Sequence, residues 1–78
     1  MNTYQIDEAM MGSDWTDGIT GLVKFADILQ TIVGDAIEIE VITDSMNGAN
    51  NDPIAMEIVS ENPWMDALER YENETNRR

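Results

Sequence analysis

The side chains in this sequence best suited to chemistry are carboxylates. Sixteen of the 78 residues are Asp or Glu, four are Lys or Arg, and the formal net charge is −12. The chain has no His and no Cys, which excludes Ser-His-Asp and Cys-His catalysis and ordinary zinc sites. Paired carboxylates can act as general acid and base, but so short a chain has little room for the deep cleft that raises a carboxyl pKa. The sequence therefore predicts a non-catalytic protein with no cofactor.

Residues 42–53, ITDSMNGANNDP, place Asp and Asn side chains around Gly48. Such a composition is typical of calcium-binding loops, which need oxygen ligands at positions 1, 3 and 5 and Gly at position 6. Counted from Asp44, however, position 3 is Met46 and position 5 is Gly48. The spacing therefore predicts no metal site.

The same stretch contains Asp44-Ser45-Met46. This tripeptide, together with the length and acidity of the chain, resembles the acyl carrier proteins. The resemblance implies a prosthetic group on Ser45 and an all-helical fold. Asn47-Gly48 and Asp52-Pro53 would interrupt the helix that starts at the serine in that family. We keep a carrier modified at Ser45 as an alternative.

Hydrophobic periodicity predicts the order β-α-β-β-α. Tyr4 and Ile6 alternate with polar neighbours, which indicates a strand over roughly residues 2–9. Residues 18–34 have one narrow polar stripe and end on Gly34, as expected for a mostly buried helix. A second helix is expected to open near residue 60, with Pro63 in its first turn.

Two runs of alternating apolar residues, 35–44 and 53–60, flank Asn47-Gly48. This pattern predicts a β-hairpin with a long loop. The fold class expected is a single α+β domain spanning residues 1–78, with 72–78 a frayed tail. Its three-stranded sheet would be mixed, because a β-α-β crossover gives parallel strands and the hairpin adds an antiparallel one. Both helices are expected to cover one face of this sheet.

The other sheet face is predicted to be acidic. Glu38 and Glu40 point to the same side of one strand, about 6.6 Å apart, and the hairpin would place Glu57 opposite one of them. Like charges facing each other across a sheet are destabilising, which indicates a surface shaped for a basic partner. The partner-binding residues expected are Asp35, Glu38, Glu40, Asp44, Asp52 and Glu57.

Residues 1–69 contain fourteen acids and Lys24 as their one base, a net charge of −13. Such a body repels nucleic acid and anionic membranes and attracts basic proteins. In size, charge and lack of Cys and His, the chain resembles the small phage-encoded inhibitors that mimic DNA, of the anti-CRISPR and anti-restriction type. The resemblance implies blockade of a nuclease or CRISPR effector subunit, without catalysis and without direct nucleic-acid binding.

A different possibility is an acidic protein–protein interaction module of a larger assembly. Met10, Met11, Trp15 and Trp64 could form a dimer contact or belong to the core, so we expect a monomer or a weak dimer. The chain lacks a signal-peptide pattern and an apolar run of about 18 residues that would span a membrane. We therefore expect a cytoplasmic protein, in the host cytoplasm if it is phage-encoded.

Overall fold

The computed structural model describes residues 2–43, 51–60 and 62–75. Within these ranges the chain forms two strands, three α-helices and a short 3-10 helix. In chain order they are β1 (Asn2–Ile6), the 3-10 helix (Glu8–Met11), α1 (Gly18–Val33), β2 (Ile37–Val41), α2 (Pro53–Val59) and α3 (Asn62–Thr75).

The first half of the chain is the predicted β-α-β unit, except that β1 ends at Ile6 and not near residue 9, because Asp7 caps the 3-10 helix Glu8–Met11. β1 pairs with β2 in parallel, from Asn2 opposite Ile37 to Ile6 opposite Val41. α1 begins and ends within one residue of the predicted bounds, and Gly34 follows it with a φ of 65°, a conformation that costs glycine little. The predicted polar stripe of α1 is exposed; its members are Thr20, Lys24, Asp27 and Thr31.

The predicted third strand is wrong, because residues 53–59 form the helix α2. Asp52 caps this helix by accepting a hydrogen bond from the Ala55 backbone N–H at 2.8 Å, and Pro53 occupies its first turn, where a missing N–H costs nothing. The described residues therefore contain a two-stranded, wholly parallel sheet with three helices, not a three-stranded mixed sheet with two.

The core lies between the strands and the helices. Its fully buried large side chains come from both strands and from α1 and α2, and they are Phe25, Ile6, Leu22, Leu29, Ile37 and Val59. Met10, Met11, Trp15 and Trp64 are partly buried and pack against this core.

An aromatic cluster joins α1 to α3. The ring centroid of Phe25 lies 4.9 Å from that of Trp64 and 6.2 Å from that of Tyr71, both in edge-on geometry. Trp64 also meets Tyr4 of β1 at 6.3 Å, and Trp15 lies against Tyr71 at 5.3 Å. Edge-on ring pairs are favourable beyond the area they bury, so this cluster fixes α3 against both α1 and the sheet.

A side-chain amide covers part of each outer edge of the sheet. The Asn51 amide accepts a hydrogen bond from the Gln5 backbone N–H at 2.6 Å and donates one to the Gln5 carbonyl at 2.8 Å. On the far side of β2, the Gln30 amide donates to the Ile37 carbonyl at 2.8 Å and accepts from the Ile39 N–H at 2.8 Å. Each amide supplies the donor and acceptor that a further strand would supply.

Candidate partner-binding surfaces

The sheet presents one face to solvent, and four residues with outward side chains define it. We call this surface the strand face; its members are Thr3, Gln5, Glu38 and Glu40. Glu38 and Glu40 are exposed, as the period-two pattern predicts, while Tyr4 and Ile37 on the opposite face are buried. Two exposed carboxylates thus lie on the same side of one strand.

The residues opposite the two glutamates are polar and uncharged. Thr3 pairs with Glu38, and Gln5 pairs with Glu40. The Gln5 side-chain amide donates a hydrogen bond to a Glu40 carboxylate oxygen at 2.9 Å, which holds that carboxylate above the sheet. The expected repulsion between facing glutamates is absent from this strand pair.

Glu57 does not belong to the strand face. It is exposed on α2, so the prediction that it faces Glu38 or Glu40 across a ladder is wrong. Asp52 is also exposed, but its carboxylate caps α2. Asp35 is exposed in the turn between α1 and β2, two residues before the strand begins. Asp44 lies outside the described residues.

Ser45, the candidate attachment residue of the carrier alternative, also lies outside the described residues. The part of the chain that leads to it is the strand β2. The all-helical fold that the carrier resemblance implies is therefore not the fold of this chain.

The described residues carry an uncompensated negative charge. They include fourteen acidic side chains and two bases, Lys24 and Arg70. Both bases already pair within the molecule, Lys24 with Glu74 at 3.3 Å and Arg70 with Asp66 at 3.2 Å. Neither strand-face glutamate has an ion-pair partner in these ranges.

A second surface, not predicted from the sequence, is a groove between the end of α1 and the outer side of α3. This α1–α3 groove has a volume of about 640 Å³. It is lined by Ile32, Asn62, Pro63, Met65, Asp66, Leu68, Glu69 and Glu72. The α3 members form two adjacent rows along one side of the helix, in which residues such as Met65 and Leu68, or Asp66 and Glu69, are three residues apart.

Tyr71 and Asp17 form a polar contact at the opposite end of α1. Asp17 is the N-cap residue of α1, but its carboxylate makes no capping hydrogen bond and accepts one from the Tyr71 hydroxyl instead. The pKa of Tyr71 is raised to about 12. The largest cause is burial of the phenol, followed by the hydrogen bond to Asp17 and then the negative charge of Asp17.

This contact predicts a loss of stability in alkali. Because the folded-state pKa of Tyr71 exceeds the ordinary value of 10.0, its stabilisation is complete below pH 10 and falls as the pH rises towards 12. Tyr71→Phe should lower the free energy of unfolding at pH 8 and make its decline above pH 10 shallower. Burial also raises the pKa of Tyr4. Tyr4 is present in both the wild-type protein and the Tyr71→Phe variant, so it contributes equally to the two pH profiles. Denaturant titrations at several pH values measure this, and parallel pH profiles for the two proteins would contradict it.

Within the described ranges no group of three or more acidic side chains is arranged to hold a metal ion. No helix in the described part of the chain is both long enough and apolar enough to cross a membrane. Comparison with known proteins found no matching family model, no similar curated protein and no similar solved structure.

Proposed function

We propose that this chain is a small, acidic, non-catalytic protein that binds a basic, nucleic-acid-binding protein. It blocks that protein by charge mimicry, as anti-CRISPR and anti-restriction inhibitors do. One observation carries the proposal: both bases of the described residues are already paired, while most of the fourteen acids are exposed. A surface with this excess of negative charge attracts the rows of Lys and Arg by which a nucleic-acid-binding protein contacts phosphates.

The strand face is the surface best suited to this role. Glu38 and Glu40 are held on one strand about 6.6 Å apart, with Thr3 and Gln5 beside them as hydrogen-bonding groups. A rigid strand loses little conformational freedom when it binds, which favours affinity. Asp35 adds a further exposed carboxylate before the strand.

The test compares two variants of equal charge. Glu38→Lys with Glu40→Lys reverses the strand face. Asp14→Lys with Glu57→Lys is the matched control, because both residues are exposed and neither lies on that face. Far-UV circular dichroism establishes that both variants are folded.

Each protein is immobilised and exposed to lysate of the native host at low salt. We expect the wild-type chain and the control to retain a partner that is eluted by duplex or single-stranded DNA and by raised salt. The strand-face variant should bind that partner at least about tenfold more weakly, a loss of about 1.4 kcal/mol. Equal affinity of the two folded variants would contradict the role of the strand face. A partner that nucleic acid does not displace would contradict charge mimicry.

A further inference from the structure

We propose that the α1–α3 groove is a second binding surface, and that it takes a short amphipathic helix of a basic protein. That helix presents a large apolar side chain to the groove and Lys or Arg on either side of it. The groove belongs to the helix layer and shares no residue with the strand face, so this proposal does not depend on the first.

The floor of the groove is apolar and accessible. Met65 is 64 % exposed, and Ile32 and Leu68 are partly buried. Apolar surface gains about 25 cal/mol for each Å² that leaves water. Methionine is unbranched and adapts its shape to a ligand, which makes Met65 a suitable contact for a Leu or Phe side chain.

The rim of the groove is acidic. Asp66, Glu69 and Glu72 follow each other at intervals of three residues along α3, so their side chains are neighbours on the helix surface. Arg70 pairs with Asp66, whereas Glu69 and Glu72 have no ion-pair partner in the described part of the chain. Each is therefore available to a Lys or Arg of a partner.

Glu69 and Glu72 are not placed to stabilise α3. Like charges at this spacing disfavour a helix by roughly 0.2–0.5 kcal/mol per pair. Glu72 also lies near the C-terminal end of α3, where the helix dipole favours cations, and the last turn of α3 contains no base. A basic ligand in the groove would relieve both effects.

The length and the charge of the groove indicate which ligand it would bind. The stripe from Asn62 to Glu72 rises about 15 Å along α3 at 1.5 Å per residue, which matches about three turns of a partner helix. Helices commonly bind in such grooves through apolar residues spaced three and four apart. A second copy of this chain is disfavoured because each copy carries a net charge of −12.

The probe is a fluorescein-labelled ten-residue helical peptide with Leu along one side and Lys at the positions that flank the Leu residues. One comparison peptide replaces each Leu by Ser, and another replaces each Lys by Glu. Fluorescence anisotropy measures the Kd, and amide chemical shifts of the labelled protein locate the bound peptide. We expect the Leu/Lys peptide to shift resonances of Ile32, Met65 and Leu68, and both comparison peptides to bind at least about tenfold more weakly.

Two groove variants each have a matched control. Met65→Ser is paired with Ile54→Ser, because Ile54 is 61 % exposed and lies outside the groove. The double variant Glu69→Lys/Glu72→Lys has as its control the double variant Asp14→Lys/Glu57→Lys. We expect each groove variant to weaken binding about tenfold or more, and each control to change it by less than about threefold.

Three outcomes overturn the proposal. The first is equal loss in the groove variants and their controls, which indicates diffuse charge attraction. The second is equal binding of the Ser-substituted peptide, which shows that the apolar floor takes no part. The third is a set of shifted resonances centred on Glu38 and Glu40; this places the peptide on the strand face and leaves the first proposal intact.

Discussion

Replacing Phe25 with Ala is expected to lower the free energy of unfolding by about 3–5 kcal/mol. Phe25 has no exposed surface, and its ring contacts Trp64 and Tyr71 edge-on. Truncation removes the transfer free energy of the ring and leaves a cavity between α1 and α3. A domain of this size has a total stability of roughly 4–12 kcal/mol, so this one change consumes a large part of it.

Urea titration followed by tryptophan fluorescence and by circular dichroism measures the effect. Val23→Ala is the matched control, because Val23 lies two residues earlier in α1 and is 47 % exposed. That variant should change the free energy of unfolding by no more than about 0.5 kcal/mol. A loss below about 1 kcal/mol for Phe25→Ala would show that the aromatic cluster does not hold α3 in place.

Gly21→Ala is expected to destabilise the protein by about 1–3 kcal/mol, the usual range for overpacking. The sign of the change in the free energy of unfolding is informative, because replacing Gly by Ala in a helix normally stabilises the protein by about 1 kcal/mol. Here the added methyl group would lie 2.6 Å from the Tyr71 hydroxyl oxygen and 3.1 Å from a ring carbon of Trp15, and it would also meet the Asp17 side chain. The Tyr71 and Asp17 side chains must shift to make room for the methyl group, which disturbs the hydrogen bond between them.

A double-mutant cycle tests this mechanism. Gly21→Ala should cost less in a Tyr71→Phe background, because the hydroxyl group that the new methyl meets is then gone. Thr20→Ala serves as the control, since Thr20 is the exposed neighbour in the same helix and should show no such coupling. Stabilisation by Gly21→Ala, or equal costs in both backgrounds, would contradict the close approach of α1 and α3 at this position.

The sequence predicted the β1–α1–β2 unit well because its elements have strong and different periods. The seventeen residues from Gly18 to Gly34 keep their polar side chains in one stripe, a pattern that no strand produces. Ile37, Ile39 and Val41 alternate with Glu38 and Glu40, and the β-branched residues favour a strand. The outward direction of both glutamates follows from that alternation.

α2 was mispredicted because a seven-residue run that is apolar except for Glu57 fits both periods. Ile54, Met56 and Ile58 alternate as they would in a strand, yet all three are exposed. The helical signal is the pair Ala55 and Val59, which are four residues apart and fully buried. Asp52-Pro53 was a further signal, because Asp at the N-cap and Pro in the first turn start a helix.

The wrong hairpin also explains why Glu57 was placed on the predicted acidic sheet face, because its position there depended on the hairpin.

The α1–α3 groove could not be predicted for a different reason. Ile32 and Met65 are distant in sequence, and both line the groove because α1 packs against α3. Periodicity indicates which side of each helix is apolar, but it does not specify which helices meet or what gap they leave.

The two amides that cover the sheet edges bear on how this protein avoids aggregation. An exposed strand edge recruits strands from other molecules, and many proteins repel such recruits with charge. Here Asn51 and Gln30 occupy the backbone groups of Gln5, Ile37 and Ile39 with neutral side chains. Each amide therefore protects part of a sheet edge from pairing with a strand of another molecule. This protection does not use the acidic side chains, which we propose bind a basic partner.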